Sequence, residues 1–229
     1  MLSTAATRTA SLVALAIGAS MAIPARAAEP CPCKPEVWAE TIAAFAKQDE
    51  KEAPPADGVL FVGSSSIRAW DLKKWFPNLP VINRGFGGSQ LCDAAHYADE
   101  LVVKYRPRVV VVYAGDNDIG GGKKPEQVHG DFSALVENIH NSLPEARIVY
   151  ISIKPSVTRW EYANQIQRTN KLIAVDCEKE DDHLVFVDVW DAMLGEDGQP
   201  RKELLDVDGL HLNDAGYELW TKLLRPHLE

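Results

Sequence analysis

Apolar residues along this chain fall into two alternating patterns, one short and continuous, the other spaced at three and four residues. The continuous runs are Val59-Leu60-Phe61-Val62, Val81-Ile82, Val109-Val110-Val111-Val112-Tyr113, residues 147–153 and residues 184–187. They are rich in β-branched and aromatic residues, and short wholly apolar runs fit strands buried on both faces. Between them lie segments of helical spacing. Residues 36–48 place Val37, Ile42, Ala44 and Phe45 on one side, and 89–104, 125–143, 160–180 and 214–224 follow suit. Ser89 and Asp214 stand as caps, Asp93 falls in a first turn, and Pro125 opens its helix. Alternation of strand and helix predicts parallel pairing through right-handed crossovers, hence an α/β protein: a three-layer α/β/α sandwich around a five-stranded parallel sheet. Sites in such sheets form beyond the carboxyl ends of the strands, so the polar residues after each run are the candidates for chemistry.

Composition narrows the function classes. The 229 residues are 46% hydrophobic and 25% charged, with a formal net charge of -9. That suits one globular domain. The acidic balance argues against nucleic acid as a partner, since phosphate binding needs clustered Lys and Arg, and against an anionic membrane surface. The start of the chain has a different character: Arg8, an apolar stretch over residues 12–23, then Ala25-Arg26-Ala27 in the small-x-small form of a signal peptidase site. The apolar stretch is short for a membrane span, which needs about 20 residues. The expectation is a cleaved signal peptide over residues 1–27, an extension with one helix over 28–57, a single domain over 58–229, and a secreted or periplasmic protein without stable membrane association. Cleavage removes two of the 24 Lys and Arg and none of the 33 acids, leaving -11. Export makes disulfides permissible among Cys31, Cys33, Cys92 and Cys177. Cys31-Pro32-Cys33 is too short for an easy mutual bridge, so pairing elsewhere, or none, is expected. No Cys-x-x-Cys pair suggests zinc, and no metal or cofactor is expected.

Four polar patches follow the runs. Gly63-Ser64-Ser65-Ser66 comes directly after the first and puts a serine where strand turns into helix. Asn83-Arg84-Gly85-Phe86-Gly87-Gly88-Ser89 comes after the second. Its glycines let backbone N–H groups approach a ligand, while Gln90 stands where a dinucleotide fingerprint needs its third glycine. Gly115-Asp116-Asn117-Asp118 comes after the third. An Asn amide can face developing negative charge, and the flanking aspartates read as supports for the loop. Asp208-Gly209-Leu210-His211 precedes the last helix. Residues three apart in a tight turn bring carboxylate and imidazole within reach, the carboxylate fixing the ring tautomer and the far nitrogen left to accept a proton. A calcium loop is the competing reading of Asp206-x-Asp208-Gly, but Tyr217 stands where the twelfth-position Glu belongs. His96, His129, His140, His183 and His227 have no such partner pattern.

Together, Gly-x-Ser, Gly-Gly, Gly-x-Asn-Asp and Asp-x-x-His resemble the SGNH (GDSL-type) hydrolases. The stretches 61–65 and 83–88 look most like their platelet-activating-factor acetylhydrolase branch. The resemblance covers residues 58–226. It implies a flavodoxin-like sheet, a serine esterase mechanism with Ser65 as nucleophile and Asp208 and His211 completing the triad, and an oxyanion hole from the Ser65 and Gly88 N–H groups and the Asn117 amide. The usual Asp before the nucleophile is Ser64 here. The serine run offers Ser66 as a neighbouring register, and counting from Gly63 selects Ser65. A Gly-x-Ser-x-Gly elbow fails because Ile67 holds the last position. The expected reaction is hydrolysis of a small-molecule or glycan ester. Short loops after the first two strands and no long apolar insertion point to a small acyl group such as acetyl. Arg84, Lys154 and Trp160 are candidate substrate contacts, and Trp70, Trp75 and Trp160 could stack on a sugar, though Trp is more often core. An O-acetyltransferase acting on a glycan, or a non-catalytic glycan-binding module, are the alternatives.

Overall fold

The computed structural model describes residue 1 and residues 33–179 and 183–228. The expected leader, apart from Met1, and Cys31 lie outside the described residues. A 3-10 turn at Pro35–Trp38 leads into α1 (Ala39–Lys51). Then come β1 (Val59–Gly63), α2 (Ser65–Arg68), α3 (Leu72–Trp75), β2 (Val81–Gly85), α4 (Leu91–His96), α5 (Ala98–Leu101) and β3 (Val109–Tyr113). The chain continues through α6 (Asp116–Gly120), α7 (Pro125–Ser142), β4 (Arg147–Ile151), α8 (Ala163–Cys177), β5 (Leu184–Val187) and α9 (Asp214–Leu224).

All five strands pair in parallel, in the order β2-β1-β3-β4-β5. Strand side chains alternate between faces, so each apolar run feeds two cores. Leu60, Val62, Val110, Val112, Ile148 and Tyr150 face one layer with α1, α4, α7 and α8. Phe61, Val109, Val111, Tyr113, Val149 and Ile151 face the other, against Ile67, Trp70, Trp220 and Leu224. A continuous run is thus what a two-faced strand requires. The chain leaves β1 toward one edge for β2 and returns on β1's other side for β3. The switch point, and with it the natural crevice, lies between the carboxyl ends of β1 and β3.

Three expectations are corrected in detail. The helix expected over residues 89–104 breaks at Tyr97 and Val102 into α4, α5 and a 3-10 turn. Its apolar spacing survives at Leu91, Ala94, Ala98, Leu101 and Tyr105, because the core constrains side-chain positions more than the hydrogen-bond ladder. The loop after β3 contains the short helix α6. Strand β2 extends through Asn83 and Arg84, polar residues at a sheet edge. Asn83 donates to the carbonyls of Ile67 and Trp70 and accepts from Gly85 N. Arg84 is buried and pairs with Asp49 of α1 and the Tyr105 hydroxyl. The partners of these two residues are remote in sequence, so local pattern did not reveal the strand.

Candidate active site

The switch-point crevice is where the polar patches meet. Strand β1 ends at Gly63, whose φ of 137° turns the chain sharply. Ser64 N donates to the Tyr113 carbonyl at 3.0 Å, which ties the turn to the end of β3. Ser65 then opens α2. The neighbouring Ser66 is buried, and the hydroxyl that meets the His211 ring is that of Ser65.

The turn 206–211 reaches Ser65 from the same layer, where its flanking Leu205 and Leu212 share the second core with Ile67 of α2. Gly209 adopts a φ of 65° and lets the chain fold back, with Asp206 N donating to the His211 carbonyl at 2.8 Å. Asp208 Oδ1 accepts from the N–H groups of Leu210 and His211, each at 2.9 Å. His211 Nδ1 lies 2.6 Å from Asp208 Oδ2 and must carry its proton there, because a carboxylate can only accept. That leaves Nε2 as the acceptor for the Ser65 hydroxyl, 2.9 Å away. The hydrogen bond from the His211 ring, helped by those two backbone N–H groups, holds the Asp208 carboxyl well below the usual carboxylate range. Thr158 Oγ1 donates to the Asp208 carbonyl at 2.5 Å, so the loop after β4 braces the turn.

Beyond the ends of β2 and β3 stand Gly88, exposed and with a φ of 88°, and Asn117. Asn117 Nδ2 donates one hydrogen to the Ser89 carbonyl at 2.9 Å. Its Oδ1 accepts from Arg159 Nη2 at 2.9 Å. Because a guanidinium can only donate, this contact fixes which end of the amide is which and keeps the second Nδ2 hydrogen available. Arg159 also pairs with Asp116 at 3.2 Å, and Asp116 Oδ1 accepts from Asn117 N. Asp118 is fully buried, accepts from Leu91 N at the start of α4 and pairs with Lys123 at 3.0 Å. Burial pushes its carboxyl up to about 6 despite that lysine. The two aspartates are supports, as their positions predicted. The sequence points to the loop from Lys154 to Trp160 as pocket lining without singling out Arg159, because a lone Arg in a loop carries no signal of its own; its partner across the sheet top gives it a role.

Two expected substrate contacts are corrected. Arg84 points away from the crevice into its ion pair with Asp49. Lys154 is buried behind the site, bonded to the Tyr113 hydroxyl at 3.1 Å and 3.5 Å from Asp116, and burial pushes its ammonium down. Trp160 remains available. It is half-buried, stacks on Trp190 with centroids 5.9 Å apart, and lines a groove of about 810 Å³ with Val157, Glu196, Asp197, Pro200 and Arg201. That groove adjoins the 206–211 turn, because Val157 packs against Gly209. Trp70 is buried in the second core and cannot stack on a sugar. His129 has a carboxylate partner after all, Asp176 of α8. Cys33 and Cys92 form a disulfide with Cα atoms 6.0 Å apart, and Cys177 is a buried free thiol. Among the described residues the acid and thiol group compact enough for a metal ion is Cys33, Cys92 and Asp93, and its thiols are spent in that bridge.

The sequence profile of the GDSL-like lipase/acylhydrolase family matches residues 57–219. Platelet-activating factor acetylhydrolase IB subunit alpha1 of Pongo abelii is 27% identical over 180 residues, which are 74% of this chain and 73% of that protein. Its human and bovine counterparts align over about half of their length. A Streptococcus pneumonia structure described as a proposed platelet activating factor superposes with a TM-score of 0.74 at 25% identity, covering 83% of this chain and 92% of the other. A GDSL-like lipase from Bacteroides thetaiotaomicron gives 0.69 at 21% identity, with coverage of 82% and 96%.

Proposed function

Since the chain belongs to the GDSL-like lipase/acylhydrolase family and is a hydrolase of esters, we propose that it cleaves short-acyl carboxylic esters through an acyl-enzyme on Ser65. The observation that carries this reading is the unbroken line from the Ser65 hydroxyl to His211 Nε2 at 2.9 Å and from Nδ1 to Asp208 at 2.6 Å. Ser65 Oγ attacks the ester carbonyl as His211 takes its proton, and Asp208 stabilises the imidazolium that results. The carbonyl oxygen becomes an alkoxide, met by the N–H groups of Ser65 and Gly88 and the free Nδ2 hydrogen of Asn117. His211 passes its proton to the leaving alcohol, and water, activated by the same imidazole, releases the acid. The groove beside Trp160 lies on the His211 side and suits the alcohol moiety. The acetylhydrolase name of the Pongo relative supports a small acyl group. Export fits as well: a disulfide at Cys33–Cys92 belongs to an oxidising compartment, and the leader-like start of the chain leads to one.

A serine-directed phosphonate should label Ser65 and no other residue, with free acetate released from p-nitrophenyl acetate. No label on Ser65 in protein of native circular dichroism sinks the reading. Asn117→Ala should fold normally and lose about 10²–10³ in kcat, since one oxyanion donor typically supplies about 3–4 kcal/mol of barrier. Arg159→Met, which leaves Asn117 free to turn over, should lose part of that factor in the wild type and little more in the Asn117→Ala background.

The pH profile follows from the triad's proton count. The active form has Nε2 free, so kcat/KM rises with pH to a plateau and falls on acidification with a slope of one. Asp208 does not add a second proton on this limb, because its carboxyl stays ionised well below the usual range. By the same sign, whatever stability Asp208 contributes is present above the ordinary carboxyl range and lost as pH falls through its depressed value, so protonation of Asp208 is not what produces the limb. A rate that stays flat from about pH 8 to 4 rules out a histidine base.

A further inference from the structure

The N-terminal segment does more than cover the β2 edge of the sheet. Cys33 is bonded to Cys92, the second residue of α4 and four positions past Gly88. Two residues on, the Pro35 carbonyl accepts from the Tyr97 hydroxyl at 2.8 Å. Held at these two points, the chain delivers Trp38 edge-on to Phe86, with ring centroids 5.3 Å apart and planes at 76°. The far corner of the indole, Cη2, lies 3.6 Å from where a Cβ on Gly88 would sit, and among the described residues beyond Gly88's chain neighbours no other atom comes within 4 Å of that point. Gly88 is exposed and Trp38 is half-buried. The indole therefore borders the open face of the loop that supplies an oxyanion donor.

The direction of the substrate decides what this wall does. A carbonyl carbon bonded to Ser65 Oγ carries three further substituents. Its oxygen lies toward Gly88 and Asn117. Its leaving oxygen must lie beside His211 Nε2 to receive a proton, and the space beyond is the groove that Val157 and Trp160 share with the triad turn. The remaining direction, toward the β2 edge where Trp38 borders the Gly88 loop, is left for the acyl chain. We propose that Trp38, stapled over the Gly88 loop by the Cys33–Cys92 disulfide, closes the acyl side of the site and restricts the acyl group to about two or three carbons. This rests on the esterase reading and adds to it a specificity-determining residue from outside the region that the family profile matches.

The test is the ratio of kcat/KM for p-nitrophenyl hexanoate to that for p-nitrophenyl acetate. Trp38→Ala should raise it at least about tenfold over wild type, because each methylene admitted to an apolar pocket is worth that much or more. Trp38→Phe should give a smaller rise. Cys92→Ser, and the wild type under reducing conditions, should shift the ratio in the same direction by freeing the segment. Phe45→Ala, which loosens α1 while the Cys33–Cys92 bridge and the Tyr97–Pro35 bond still hold the turn that carries Trp38, should lower the melting temperature and leave the ratio alone. An unchanged ratio in folded Trp38→Ala overturns the proposal while leaving Ser65 chemistry intact. So does a change confined to the preference among acetate esters of small and bulky alcohols. Should Trp38→Ala fail to fold, Trp38→Phe and reduction decide in its place, and a flat ratio in both overturns the proposal. A wild type that hydrolyses none of these esters, or a Ser65→Ala variant as fast as wild type, removes the underlying reaction and the proposal with it.

Discussion

Ser65→Ala is expected to lower kcat on p-nitrophenyl acetate by a factor on the order of 10⁴–10⁶ while leaving the melting temperature within a few degrees of wild type. On the proposed mechanism the kinetic loss is large because the three residues act as a unit: without the hydroxyl His211 has no proton to take, and the residual rate comes from oxyanion stabilisation and binding. The thermal effect is small because the Ser65 Oγ has a hydrogen bond to the half-buried His211 ring, and such a bond contributes about 1 kcal/mol net. Burst kinetics should vanish together with turnover. A folded Ser65→Ala protein that kept a tenth of wild-type kcat would show that this hydroxyl is not the nucleophile.

Gly63→Ala should fail in the opposite way, losing stability first and activity as a consequence. A Cβ at this position would lie 1.9 Å from the Tyr113 carbonyl oxygen and 2.7 Å from its carbon, both rigid backbone of the neighbouring strand. The residue also holds a φ of 137°, a conformation that side chains other than glycine rarely adopt. Relief requires β1 and β3 to separate where Ser64 N bonds to that same carbonyl. Strain of this kind combined with a broken buried hydrogen bond costs about 3–5 kcal/mol, a large share of the total for a domain of this size. Urea denaturation should show the midpoint falling with little change in slope. Wild-type stability in Gly63→Ala would mean that the turn before Ser65 is not built as described. The pair of variants separates two demands met within three residues: a backbone that must be glycine and a side chain that need not matter to folding at all.

The strands were legible because each had to bury both faces, and a run such as residues 109–113 leaves little else for the chain to do. The candidate site residues were legible for a related reason. Parallel strands deliver the loops at their carboxyl ends to one edge of the sheet, so Ser65, Gly88 and Asn117 could be expected together from their places after β1, β2 and β3. Asp208 and His211 are close by local geometry, three residues apart in a turn. Less legible were contacts that join distant segments. Arg84 looked available beside a glycine-rich loop, yet Asp49 and Tyr105 claim it. Lys154 sits in a loop that does reach the site, but its ammonium turns inward to Tyr113 and Asp116.

By itself the sequence determined the α/β architecture, the order of the strands along the chain and the identity of the candidate reacting groups, because periodicity and local turn chemistry act over a few residues at a time. The tertiary structure alone decided the strand order in the sheet, the partnership of Cys33 with Cys92, the grip of Arg159 on the Asn117 amide and the arrival of Trp38 beside Gly88. Each of these depends on distances between residues far apart in the chain, and only the closed, packed sheet sets those distances.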